Sequence, residues 1–113
     1  MAICTTTCTI KQEDIAGRWQ AAGFYENGRQ VPAKLDSIAL SFFADGGYEF
    51  RSQGFYRESG SYRLSVRYLF LTDTTVQPPA EHVLKVLYVS GDSLKIRMNQ
   101  KGNEQVLFFS RKK

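Results

Sequence analysis

From Trp19 onward the sequence keeps one periodicity: apolar residues recur at every second position, in short runs whose connections are too brief to hold a helix. A period of two puts alternate side chains on opposite faces of a strand, one dry and one wet. The pattern is cleanest late in the chain, where Leu94, Ile96 and Met98 alternate with Lys95 and Arg97. Eight such runs are legible, at about residues 19–25, 38–43, 48–52, 54–64, 67–72, 82–89, 94–98 and 104–111. Parallel neighbours need a crossover of about a dozen residues or more, so consecutive strands here must be antiparallel. Left open, such a sheet would expose two unpaired edges, which closure removes. The predicted fold is all-β, an eight-stranded antiparallel up-and-down β-barrel. Composition agrees: 13% of the residues are aromatic, six Tyr and eight Phe among them, and aromatic side chains favour strands.

The connections differ in length, and their order gives the barrel two unlike ends. Asp45-Gly46-Gly47, Ser65-Val66 and Ser90-Gly91-Asp92 are tight turns, all at one end. The long connections, about residues 26–36 and 73–81, both fall at the other end. The first opens with Asn27-Gly28, read as a strand break, and the second carries Pro78-Pro79, which cannot lie in a central strand. One end is tied off and the other is a mouth. Gly60, in the middle of the fourth strand, marks either a bulge or a close backbone approach.

Residues 1–9 read as a flexible N-terminal segment and 10–113 as the barrel domain. Thr9-Ile10-Lys11-Gln12 has capping-box spacing, and Glu13 and Asp14 suit a first helical turn. A short helical turn ending at Gly17 is expected. Cys4 and Cys8 precede the barrel with no further Cys or His around them, so they do not form a zinc pattern. A local disulfide, two idle thiols, or a Cys4 left from a lipid-attachment site all stand as readings. Only Met-Ala-Ile precedes Cys4, so no signal peptide supports the last directly.

An even strand number has a further consequence. The eighth strand runs down against the first, bringing Arg111 beside Trp19 at the tied end. A guanidinium laid over an indole face contributes about 0.5–2 kcal/mol. Gly17, Trp19 and Arg111 are therefore the expected barrel-closing residues.

Gly17-x-Trp19 after a helical turn, eight meandering strands, a long first loop and a late Arg resemble the lipocalin (calycin) superfamily. Leu40-Ser-Phe-Phe-Ala-Asp-Gly-Gly-Tyr48, Gly60-Ser-Tyr-Arg-Leu64 and Asp92-Ser-Leu-Lys-Ile96 are similar to segments of the small lipocalin-like domains of bacterial secreted proteins and lipoproteins. The likeness runs over roughly residues 10–111. It implies a binding protein for a small hydrophobic or amphipathic ligand, lipids included. It also implies a secreted, periplasmic or envelope-associated setting. The chain is shorter than typical lipocalins and has no helix after the last strand, and both departures argue against a deep ligand cavity.

Alternation makes Ala21 and Gly23 small inward positions above Trp19, with Leu40, Phe42, Tyr48, Phe50, Tyr56, Tyr62, Ile96 and Met98 completing the expected ligand-binding interior. Eight strands suit either a filled core or room for one ligand. The inward tyrosines favour polar company, since a buried phenol needs a hydrogen-bond partner. Glu58 alternates inward, where it could meet a polar ligand group beside Arg51 or Arg57; the preferred reading is that a bulge at Ser59-Gly60 returns it to solvent. His82, the only histidine, reads as a rim residue rather than a haem or metal ligand. With one histidine and no evident carboxylate pair, neither a catalytic triad nor paired acid–base chemistry is legible, and the expected protein is non-enzymatic, without cofactor or metal. Net charge is +4, but the basic residues are scattered among acids and form no nucleic-acid patch. No apolar run reaches the length of a membrane span. Phe43, Phe70 and Phe108 point outward and offer a surface for self-association or a protein partner. The alternative function is a protein-interaction module, such as a protease inhibitor, acting through its N-terminal segment or outer face.

Overall fold

A computed structural model describes residues 10–32, 34–52, 56–100 and 102–112, the side chains of Tyr56 and Gln100 excepted. The N-terminal segment 1–9 with Cys4 and Cys8, and the Gly54 start of the fourth predicted strand, lie outside the described residues. The elements in order are helix α1 (Gln12–Ile15), then β1 (Gly17–Glu26), β2 (Arg29–Gln30), a 3-10 turn (Leu35–Ser37), β3 (Ala39–Phe42), β4 (Gly47–Ser52), β5 (Tyr56–Ser65), β6 (Tyr68–Asp73), β7 (Ala80–Ser90), β8 (Ser93–Gln100) and β9 (Asn103–Arg111). Strands β3 to β9 pair in succession, all antiparallel, and β1 pairs with both β3 and β9. The expected closed eight-stranded barrel with a short helical turn is therefore what the chain forms.

Strand β2 was not anticipated. Asn27-Gly28 does not merely end β1; with φ of 51° and 81° it turns the chain into a short hairpin on β1. Two successive left-handed residues match the twist of paired strands, which is why Asn-Gly is a hairpin signal before it is a break. The returning segment is fastened by Gln20, whose Nε2 donates to the carbonyls of Leu35 (2.6 Å) and Ile38 (3.0 Å).

Helix α1 starts later than the Thr9 capping spacing predicts. Lys11 is the N-cap, and its backbone N–H donates to Asp14 Oδ2 at 2.9 Å. Burial of Ile10 and Ile15 sets this register, with Ile10 N–H bonded to the Val66 carbonyl in the β5–β6 turn. The helix thereby crosses the tied end. Its Ile15 carbonyl accepts a bond from Trp19 Nε1 at 2.8 Å, and Trp19 is fully buried. Trp19 pairs in register with Arg111, whose guanidinium carbon lies 4.2 Å from the indole centroid. That guanidinium also donates to three carbonyls, Ala16 (2.6 Å), Asp14 (3.2 Å) and Gly91 (3.0 Å). Gly17 leaves room for it: φ is 121° there, and a Cβ would stand 2.7 Å from Arg111 Nη1.

Above this floor the interior is filled. Leu40, Phe42, Tyr48, Leu69, Val86, Leu94 and Ile96 are each at most 2% exposed, and each such side chain contributes about 1.5–3 kcal/mol by leaving water. One expectation about this lining is overturned. Pairing of β1 with β9 slips between Ala21 and Gly23, so Ala22 is an extra, bulged residue. Beyond it the faces exchange: Phe24 pairs with buried Leu107 and packs on the core, whereas Gly23 and Tyr25 face outward. Gly23 lies under the outward Phe108 ring, with which Tyr25 makes an edge contact at 5.6 Å. A second slip between Val86 and Tyr88 likewise turns Tyr88 outward.

Candidate functional site

The mouth is defined by register. Phe24, Phe50, Glu58, His82, Met98 and Gln105 each occupy an inward-alternating position two residues from the mouth end of its strand. Burial falls toward this level. On β8, Leu94 and Ile96 are buried and Met98 only half-buried; on β4 the same step separates Tyr48 from Phe50, and on β1 Trp19 from Phe24. Gln105 Nε2 donates to Glu26 at 3.0 Å on the side where β9 meets β1.

One sector of the mouth is acidic and buried. Glu58 is 7% exposed and Asp73 4%; with Ser41 they are the buried polar side chains among the described residues. The Tyr48 hydroxyl donates to Glu58 Oε2 at 2.6 Å, and His82 Nε2 lies 3.7 Å from the same oxygen. Asp73 Oδ1 accepts from the Thr75 N–H at 2.9 Å and from the Thr75 hydroxyl. One ligand atom each from Glu58, Asp73 and His82 lies within 4.8 Å of the others. A carboxylate so placed can hold a cation, a protonated amine, or a hydrogen-bond donor.

This corrects the preferred reading of Glu58. The ladders from β4 to β5 and from β5 to β6 run without a slip, through Phe50 opposite Glu58 and Gly60 opposite Asp73. No bulge returns Glu58 to solvent, because Tyr48 satisfies it where it stands. Gly60 instead serves a close backbone approach: a Cβ there would lie 1.8 Å from the Thr72 carbonyl oxygen. Nor do Arg51 and Arg57 reach Glu58; both lie beside Glu49, at 3.5 and 3.9 Å. His82 stands at the rim, about half-exposed, with its Nε2 3.7 Å from Glu58 Oε2. Asp73 is hidden in the sequence because it stands where the long 73–81 connection begins. Extending the alternation Leu69, Leu71, Asp73 by one step would have found it.

The other predicted lining residues separate by height. Phe50 and Met98 stand at the mouth, while Leu40, Phe42, Tyr48 and Ile96 belong to the filled interior and Ala21 to the level just above the floor. Tyr62 lies toward the tied end, its ring 4.9 Å from Phe42 and its hydroxyl bonded to the Phe43 carbonyl at 3.2 Å. Burial pushes its phenol above the ordinary 10.0, partly offset by a bond with Gln12. Gly23 is on the outer wall, and the Tyr56 side chain lies outside the described residues. Two open concavities lie away from the mouth. One of about 260 Å³ lies beside α1, lined by Ile10, Gln12, Tyr62 and Leu64. The other, about 280 Å³, is on the outer wall between Tyr88 and Phe108. No helix among the described residues is long and apolar enough to cross a membrane.

Comparison with known proteins adds the fold and little else. No family model matches the sequence, and no curated protein is significantly similar to it. Among solved structures, the crystal structure of an uncharacterised protein from Bacteroides eggerthii DSM 20697 superposes with a TM-score of 0.57 at 18% identity, over 85% of this chain and 98% of that one. The likeness shows that the two chains share the barrel fold.

Proposed function

We propose that this protein is a non-enzymatic binding protein that takes a small amphipathic molecule at the mouth of its barrel, in a secreted or envelope setting. The observation that carries the reading is the mixed lining of the mouth: half-buried Phe24, Phe50 and Met98 beside the buried Tyr48–Glu58 pair. Apolar walls with a few convergent polar groups are the usual makeup of a ligand site. Because the interior below is filled, the ligand sits shallowly, its tail on Phe50 and Met98. A buried carboxylate favours a cationic or hydrogen-bond-donating head over an anionic one. In chelator-containing buffer, dodecylamine below its micelle concentration should shift the Met98 methyl resonance saturably, with dodecanoate much weaker. Phe50→Ala should weaken binding about tenfold, in line with roughly 1–3 kcal/mol for lost apolar contact. If neither amphiphile gives a saturable shift at Met98, the proposal fails.

A second reading rests on the outer wall, where exposed Tyr88 (53%) and Phe108 (36%) flank the 280 Å³ depression. It supports a protein-contact role for that face. Concentration-dependent sedimentation that Tyr88→Ser abolishes would favour self-association there.

A further inference from the structure

We infer that Glu58, Asp73 and His82 form a site for one divalent transition-metal ion of the zinc class at the barrel mouth. They come from three consecutive strands, β5, β6 and β7, and the ladder register brings them together. Their ligand atoms lie within 4.8 Å of one another. A tetrahedral ion with bonds of about 2.0–2.2 Å separates its ligand atoms by roughly 3.3–3.6 Å. Closing the cluster therefore asks for a movement of about 1 Å, shared between Asp73 and the half-exposed His82 ring, since His82 and Glu58 are already 3.7 Å apart.

Charge points the same way. Two carboxylates at 7% and 4% exposure sit side by side, with the His82 ring nitrogen 3.7 Å from Glu58. Among the described residues, the ion pairs of Arg51 and Arg57 with Glu49 and of Arg97 with Glu104 lie on more exposed side chains outside the cluster. A divalent cation would neutralise the pair of buried charges. One imidazole nitrogen with two carboxylates suits Zn²⁺, Co²⁺, Ni²⁺, Mn²⁺ or Fe²⁺, whereas Ca²⁺ and Mg²⁺ take oxygen ligands. The surroundings resemble those of a metal centre as well. Tyr48 donates to Glu58 and Thr75 to Asp73, the kind of outer bonds that orient ligating carboxylates. Three protein ligands leave a coordination position open to water or solute.

The inference does not depend on the amphiphile reading, because the ion is titrated with no organic ligand and the amphiphile with chelator present. The intact chain should bind one equivalent of Co²⁺ with a visible d–d band that Zn²⁺ displaces. His82→Ala, at a half-exposed position, should weaken Co²⁺ binding roughly a hundredfold or more, and Tyr48→Phe about 10–100-fold. Glu58→Gln and Asp73→Asn should behave like His82→Ala. Absence of one-equivalent binding overturns the inference. So does affinity unchanged in His82→Ala, or a thiolate-to-cobalt charge-transfer band, which would place the ion on Cys4 or Cys8.

Discussion

Gly60 carries no side chain, and the end of β6 closes over the space a side chain would take. The Thr74 N–H reaches the Ser59 carbonyl at 3.0 Å, and Asp73 is delivered to the mouth opposite Gly60. An alanine Cβ would stand 1.8 Å from the Thr72 carbonyl oxygen, a backbone atom that cannot step aside alone. Gly60→Ala should therefore cost about 3 kcal/mol, the upper part of the range for overpacking, and displace Asp73. Urea unfolding midpoints would check this, with exposed Ser61→Ala as a control expected within about 0.5 kcal/mol. At this scale the sequence was half legible. Gly60 announced a bulge or a close approach, and only a neighbouring strand could decide between them. Alternation pointed Glu58 inward, but the cost of a buried carboxylate argued it back out. What reverses that argument is Tyr48 and His82, whose nearness depends on strand register rather than sequence distance.

Helix α1 and strand β9 meet across Trp19, and Arg111 is what joins them. Its planar fork reaches the carbonyls of Ala16 and Asp14 on one side and Gly91 on the other, with the indole against its face. Lysine keeps the charge but has a single nitrogen and no plane to stack. Arg111→Lys should thus lose most of what Arg111→Ala loses, about 2–3 kcal/mol from several charge-assisted bonds and a shielded cation–π contact. Thermal unfolding of the two variants would test this; full rescue by lysine would mean that charge alone matters. Strand parity made the meeting of these elements readable, since an even count returns the last strand to the first. The bulge at Ala22 was not readable. Gly23 beside it is a residue type that often marks a bulge, but it fits the alternation equally well as a small inward residue, and the bulge follows from a tertiary demand, the burial of Phe24 beside Leu107.

As a whole the barrel is closed unevenly. Strand β1 pairs with β9 over nearly its full length, from Trp19 to Glu26, but with β3 only from Gly17 to Gln20. Above Gln20 the wall between β1 and β3 consists of the β2 hairpin and the 3-10 turn, held by the Gln20 side chain and by Val31 N–H bonded to the Phe24 carbonyl. Strand number, antiparallel order and the unlike ends were all legible, because they follow from periodicity and loop length. This seam was not, because it depends on where pairing stops. Segments with few buried contacts and exposed backbone bonds open locally, at far less than the global free energy of unfolding. Amides of residues 29–31 and 34–38 should accordingly exchange with solvent deuterium at least a hundredfold faster than those of β8 and of β9 residues 106–110, a gap of roughly 3 kcal/mol. The seam borders the mouth, so an amphiphile seated against Phe24 should slow exchange in 29–31 and 34–38 and leave the floor around Trp19 unchanged. Equal protection of the two regions in the free protein would mean that the barrel opens only as a unit, and that its mouth has no yielding side through which a ligand could settle.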